Sequence, residues 1–260
     1  VVPDLSQLRD LSFFVDDISN NPHFARAPFV GQTAFAHKGG MHVNAVQKVA
    51  HSYEHIQPEA VGNRQNILVS ELSGQSNILI KAEQLGVGLE KGSPEAKAVL
   101  GKVKELEKEG YSYEAAGGSL ELLIRRETRK YRKPWKLNEY HCSFRQYRDG
   151  HPPVCEATVK LEVDGQKEYT ASEGHGVVNA LDQALRKAVR PFYPEIDSVS
   201  LIDYKVRIIE GEVATAAKTR VLIVHTDGSH IWGTVGVSDS IIEASWIALT
   251  DGIDLFLQRR

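Results

Sequence analysis

Residues 4–20 place apolar side chains at Leu5, Leu8, Leu11, Phe14, Val15 and Ile18, the three-to-four spacing of an amphipathic helix. Asp4 or Ser6 can cap its start, and Asn20-Asn21-Pro22 ends it, because the residue before a proline avoids helical backbone. A helix this short is marginal alone and needs a surface to pack on. Residues 22–28 read as a linker into Phe29-Val30-Gly31. In Phe35-Ala36-His37-Lys38-Gly39-Gly40-Met41-His42, two histidines bracket a Gly-Gly pair. Met41, Ala45 and Val46 then recur at helical spacing, which puts His42 near the first turn of a short helix. Residues 58–64 read as one turn of helix closed by Gly62, and residues 67–70 as a brief strand. After Ser73-Gly74, a helical pattern runs through Ile78, Leu79, Ala82 and Leu85 to a stop at Gly86. Ser93-Pro94-Glu95 opens a second helix with cap and first-turn proline in the expected order. It carries Ala98, Val99, Val103 and Leu106 inward and ends at Gly110. A third helix is predicted from Ser112 to about Arg126, with Ala115, Leu120, Leu122 and Leu123 apolar.

The pattern changes period beyond Lys136. Residues 140–147, 156–163 and 167–172 alternate as strands, with an Asp164-Gly165 hairpin turn between the last two, and a helix follows over 177–189. Residues 199–209, 218–225 and 230–235 repeat that order around Asp227-Gly228, and a helix follows over 240–257. Ala180, Ala184 and Leu185 recur as Ala244, Ala248 and Leu249. A constant offset of this kind is the mark of a duplicated unit, here βββα used twice. The predicted fold class is α+β: residues 1–62 as a linker subdomain with the histidine motif, 63–128 as a small helical subdomain, and 129–260 as two pseudo-symmetric βββα units. Each unit has one apolar sheet face to bury, so the two share a core or a dimer interface.

Composition narrows the partners. The 260 residues carry a net charge of −3, which makes no electrostatic case for nucleic acid or an anionic membrane. A basic run at Arg125, Arg126, Arg129, Lys130, Arg132 and Lys133 lacks interleaved aromatic stacking positions. It reads as a solvated linker at a domain boundary. No apolar run has the length of a spanning helix. Cys142 and Cys155 lie in separate strands without metal-ligand spacing, which fits a reduced, cytoplasmic setting. The sequence opens at Val1 and its one methionine is Met41, so it reads as a fragment whose N-terminal part is missing.

Two places can carry chemistry. An imidazole at His42, at the start of a helix beside flexible glycines, can exchange protons near neutral pH. The alternative is a surface turn with solvated histidines, the reading also given to His51 and His55. In each βββα unit a glycine-containing loop, Gly174-His175-Gly176 or Gly236-Val237-Ser238-Asp239, feeds a helix N-terminus. Unpaired N–H groups there favour an anion such as a carboxylate. These glycines can equally do no more than make tight turns.

These residues resemble a known family. The segment from Phe29 through His37 and His42 to Ala45 is similar to the region after the catalytic barrel of the 2-isopropylmalate synthase and citramalate synthase family. The run from Tyr53 through Pro58, Gly62, Asn63 and Arg64, and then Leu68 to Ile78, resembles the citramalate branch more than the isopropylmalate branch. The C-terminal repeat, with Ala216-Ala217-Lys218 and the stretch from Trp232 to Trp246, resembles the family's allosteric dimer domain. The resemblance implies an acyltransferase that condenses acetyl-CoA with pyruvate. Its (β/α)8 barrel, holding a divalent metal (Mg, Mn or Zn), is missing from this chain along with its His-x-His pattern, so the fragment is not expected to be active alone. It also implies that His42 and Tyr53, with His37 as a lesser candidate, reach the active site of a neighbouring subunit in a homodimer. Residues 129–260 become a regulatory domain that binds isoleucine, or leucine in the isopropylmalate branch, as feedback inhibitor. Gly174, Gly176, Asn179, Gly236, Ser238 and Asp239 would form its loops, and Leu201, Tyr204, Ile208, Ala214, Thr215 and Ala216 its lining. Asn179 stands where the family often has Asp, which weakens a carboxylate contact to the effector's ammonium. A free-standing amino-acid-binding module is the rival from another class.

Overall fold

The computed structural model describes residues 4–19, 21, 23–37, 39–49, 52–67, 75–84, 86–148, 150–209 and 217–260. The strand expected beyond Ile67, the helix start at Ser73-Gly74 and the helical position Leu85 lie outside the described residues. The chain forms two compact units, Val1–Lys104 and Glu105–Arg260.

In the first unit α1 spans Leu8–Ile18. Its apolar stripe does not turn inward: Phe14 is 60 % and Ile18 70 % exposed, and Leu11 and Val15 are exposed as well. Of the stripe Leu8 alone is half-covered, together with Arg9, Ser12, Phe13 and Asp16 on the adjoining side. There the Arg9 guanidinium lies over the Phe13 ring, and His23 stacks on Phe13 while meeting Asp16 at 3.0 Å. The periodicity fixes a stripe but not which neighbour arrives to cover it. Next come β1 (Ala36–His37), α2 (Gly40–Lys48), a 3-10 turn (Pro58–Val61), β2 (Asn66–Ile67) and α3 (Gln75–Gln84). β1 and β2 pair in parallel, and α2 packs on α3. Phe35, Val43, Val46, Val61, Ile67, Ile78 and Ala82 are buried. Gly62 closes the 3-10 turn at φ +71, a left-handed position that suits glycine. In α4 (Pro94–Lys108) Ser93 Oγ accepts from the Ala96 N–H at 3.1 Å. The buried side chains are Ala96, Val99 and Val103; Ala98, expected inside, is exposed.

In the second unit α5 spans Gly117–Glu127, starting five residues later than expected. It packs on α7 and β8. Small residues let it come close: a Cβ on Gly118 would crowd Gly233 O, and one on Gly233 would run into Ala115 O. β3 (Lys136–Arg145), β4 (Val154–Val163) and β5 (Gln166–Gly174) form one antiparallel sheet in that order, and α6 (Val177–Val189) follows. A 3-10 turn (Pro194–Ser198) leads to β6 (Ser200–Ile208), β7 (Thr219–Thr226) and β8 (Ile231–Ser238), a second such sheet, and then α7 (Ile241–Gln258). Asp164 and Gly165 both have positive φ, the geometry of a two-residue hairpin turn. α6 lies on β4 and β5, α7 on β7 and β8, and the helices touch. Both repeats therefore bury into one core that includes Val159, Leu161, Leu181, Leu185, Val221, Ile223, Leu249 and Ile253.

The basic run is not simply a solvated linker. Arg125 pairs with the buried Glu121 at 2.8 Å, and Arg126 pairs with Asp251 at 2.9 Å. The Tyr131 hydroxyl donates to Asp254 at 2.6 Å. Glu121, one turn away on α5, and Asp251 and Asp254, far along the chain on α7, hold these residues down. No helix among the described residues is long and apolar enough to cross a membrane.

Candidate functional site

α2 begins after Gly39, its N-cap, whose backbone is extended. In its first turn the exposed His42 ring lies against Tyr53, which comes from the turn that follows the helix. The ring centroids are 4.3 Å apart and the planes 23° from parallel. Tyr53 is 51 % exposed. An imidazole and a phenol, both able to exchange protons, are thus held ring to ring at the surface of the first unit.

His37 is separate from this pair. It is buried, with Nε2 2.8 Å from Glu54 Oε1, and Gln65 Nε2 donates to the same oxygen at 2.9 Å. Sequence reasoning missed Glu54 and Gln65, since a Glu in a polar turn reads as solvated. The sign available for Glu54 was its place between Tyr53 and His55 in the run that resembles the citramalate branch. Nearby, Asn63 Nδ2 donates to Phe29 O at 2.8 Å and to Gly31 O at 2.9 Å. That bond pair pins the loop leading into the histidine motif. His55 is exposed and edge-on to Phe29; His51 lies outside the described residues.

The residues singled out in the second unit fall into two groups. At the start of α6, Gly176 is the N-cap and no side chain caps the helix. Asn179 Oδ1 is used locally, accepting from the His175 N–H at 3.1 Å and from Gln183 at 3.0 Å. Gly174 ends β5, where a Cβ would crowd Ala180. The start of α7 differs. Ser240 caps it and accepts from the Glu243 N–H, while Ser238 Oγ donates to the Glu243 carboxylate at 2.6 Å. Gly236 is not in a loop: β8 continues to Ser238, and a Cβ on Gly236 would run into Ala244 O. With Glu243 in its first turn and Asp239 exposed beside it, this terminus is already supplied with negative charge. The α6 terminus has no acidic residue in its first turn.

The second group lies on β6. Strict alternation would put Leu201 on the face opposite Tyr204 and Ile208. A bulge between Leu201 and Asp203 reverses this, so that Leu201 opposes His225, Tyr204 opposes Ile223 and Ile208 opposes Thr219. Residues directly opposed point to the same side, and these partners are all buried. The three side chains therefore share the core-side face. Tyr204 is half-buried, with its hydroxyl 2.7 Å from Ser245 Oγ, whereas Ile208 is 71 % exposed. Ala214, Thr215 and Ala216 lie outside the described residues. An open hollow of about 540 Å³ sits elsewhere, on the outer face of the first sheet, lined by polar side chains including His141, Ser143, Arg145, Glu156 and Glu173.

Residues 114–257 match the family described as LeuA allosteric (dimerisation) domain, and residues 29–111 match the homocitrate synthase post-HMGL domain-like family. The chain is 51 % identical over 255 residues to an (R)-citramalate synthase of Aquifex aeolicus, covering 97 % of this chain and 48 % of that protein. It is 44 % identical over 255 residues to an (R)-citramalate synthase of Geobacter sulfurreducens, covering 98 % and 48 %. A probable 2-isopropylmalate synthase of Methanopyrus kandleri is 29 % identical over 254 residues, covering 97 % and 49 %. The chain spans about half the length of these curated relatives.

Proposed function

The chain belongs to the LeuA allosteric (dimerisation) domain family, and from that premise we propose that it is the regulatory C-terminal part of an (R)-citramalate synthase. In this reading the whole enzyme joins acetyl-CoA to pyruvate. The acetyl methyl group loses a proton, its carbon bonds to the keto carbon, the keto oxygen gains a proton, and water cleaves the thioester to release CoA and citramalate. Isoleucine binding to the second unit inhibits it.

The observation that carries the reading is the exposed stack of His42 on Tyr53. A module that only senses an amino acid has no use for two proton-exchanging rings displayed on its other unit. In a homodimer they reach the active site of the neighbouring subunit. His42 there exchanges a proton with the acetyl group or the keto oxygen, and Tyr53 holds the imidazole or the substrate. Among the described residues no group of three or more His, Cys, Asp or Glu side chains is placed to hold a metal ion. The divalent metal of this reading belongs to the barrel. For the effector, the N–H groups at the start of α6 suit its carboxylate. The strip of Leu201, Tyr204 and Ile208 suits a branched side chain.

Calorimetric titration of the 260-residue chain tests the regulatory half. Isoleucine is expected to bind at least about tenfold more tightly than leucine, a difference of about 1.4 kcal/mol. A preference for leucine would move the assignment to a 2-isopropylmalate synthase, and binding of neither would overturn the regulatory reading. For the catalytic half, His42→Ala in the full-length protein is expected to abolish most citramalate formation. Unchanged turnover would favour a sensor module.

A further inference from the structure

Three short segments of the first unit meet at one carboxylate. His37 comes from β1, Glu54 from the turn after α2, and Gln65 from the residue just before β2. Glu54 Oε1 lies 2.8 Å from His37 Nε2 and 2.9 Å from Gln65 Nε2. Glu54 is 5 % and His37 9 % exposed. β1 and β2 are two residues long each, far too short to hold their surroundings rigid unaided. A carboxylate this buried is costly away from its donors, so Glu54 anchors its turn to both strands.

That anchor sits beside the exposed ring pair. Tyr53 is the residue before Glu54, and consecutive Cα atoms are about 3.8 Å apart, so fixing the one leaves the other little freedom. His37 is joined to His42 through Gly39 and the first turn of α2. The bond from His37 to Glu54 therefore fastens the backbone that carries His42 to the backbone that carries Tyr53, from the buried side. We propose that Glu54, with His37 and Gln65 as its donors, is a positioning residue that holds Tyr53 against His42. This rests on the reading of that pair as active-site residues, and it moves His37 from the chemistry to its support.

The test compares Glu54→Ala with Glu54→Gln. The glutamine keeps an oxygen that accepts from both donors, and the alanine keeps none. In the 260-residue chain the stack is read by NMR, as the ring-current shift that Tyr53 imposes on the His42 ring protons; Tyr53→Leu gives the value without it. Glu54→Ala is expected to lose that shift and Glu54→Gln to retain it. In the full-length protein Glu54→Ala is expected to lower kcat about tenfold to a hundredfold, as small misplacements of reacting groups do. KM for pyruvate should stay within about twofold, and Glu54→Gln should recover most of the kcat. If Glu54→Ala does not fold, Gln65→Ala serves in its place. A folded variant that keeps the full ring-current shift overturns the proposal. So does a lost shift with unchanged kcat when His42→Ala does lower kcat. If neither His42→Ala nor Glu54→Ala alters kcat while the shift is lost, the positioning stands and the active-site reading of the pair fails.

Discussion

Arg126 on α5 and Asp251 on α7 form an ion pair at 2.9 Å, and the same guanidinium stands 3.5 Å from Asp254. Burial pushes the Asp251 carboxyl above the usual carboxylate range; the charge of Arg126 and hydrogen bonds from Arg126 and Ser119 pull it back. Ser119 Oγ also accepts from the Val235 N–H at 3.0 Å, so α5, α7 and β8 meet at this point.

Removing the cation leaves a carboxylate with 13 % of its side chain exposed and one donor fewer. Arg126 is itself 41 % exposed, so solvent screens the pair, and Arg126→Met is expected to cost about 1–2 kcal/mol rather than the larger cost of breaking a fully buried pair. Asp251 has a folded-state pKa above its unfolded one, so protonating it favours the folded chain. Without Arg126 the Asp251 carboxyl is pushed higher still, so the variant gains more from protonation than the parent chain and its deficit should shrink as pH falls toward 4, read by urea unfolding of both at pH 7 and pH 4.5.

His225 gives the opposite sign. It is fully buried, 3.2 Å from Thr234 Oγ1 and stacked on Trp232. Burial, helped by the charge of Arg186 and opposed by the Ala248 carbonyl, pulls its pKa down to about 4. Between about 4 and the ordinary value near 6.5 the unfolded chain binds the extra proton. The stability that His225 contributes is present in full above pH 6.5 and is lost as pH falls through 4, by up to about 3 kcal/mol. His225→Gln is expected to flatten this part of the stability–pH curve, measured by chemical unfolding between pH 7 and pH 4.

Gly236 and Gly176 should respond differently to the same change. A Cβ at Gly236 meets the Ala244 carbonyl, a backbone atom that cannot swing away, whereas nothing lies within 4 Å of one at Gly176. Gly236→Ala is expected to cost at least about 1–3 kcal/mol and to lower the melting temperature by several degrees. Gly176→Ala should lower it far less, by no more than the modest preference for glycine over alanine at a helix N-cap. Thermal unfolding of the two variants checks the contrast.

Asn63→Ala removes the donor that serves Phe29 O and Gly31 O. Leaving such acceptors unpaired costs about 1–3 kcal/mol. Hydrogen exchange should show the loosening at Val30 to Ala34 before the second unit changes at all. Equal protection in the variant would mean that the loop is held by other contacts.

What can be read from the chain alone is whatever closes within a turn or a hairpin. The bounds of α6, the Asp164-Gly165 turn, the Ser93-Pro94 start of α4 and the repetition of βββα all follow from neighbours a few residues apart. Backbone hydrogen bonding and side-chain periodicity are decided at that range. Tertiary structure alone decided that the stripe of α1 faces outward, and that α5 docks on β8 through Gly118 and Gly233. It also decided that a bulge turns Leu201 to the side of Tyr204, and that Glu54 is buried between His37 and Gln65. Each of these depends on which distant segment arrives to exclude water. Local spacing carries no record of that, because burial is a property of the pair and not of either residue.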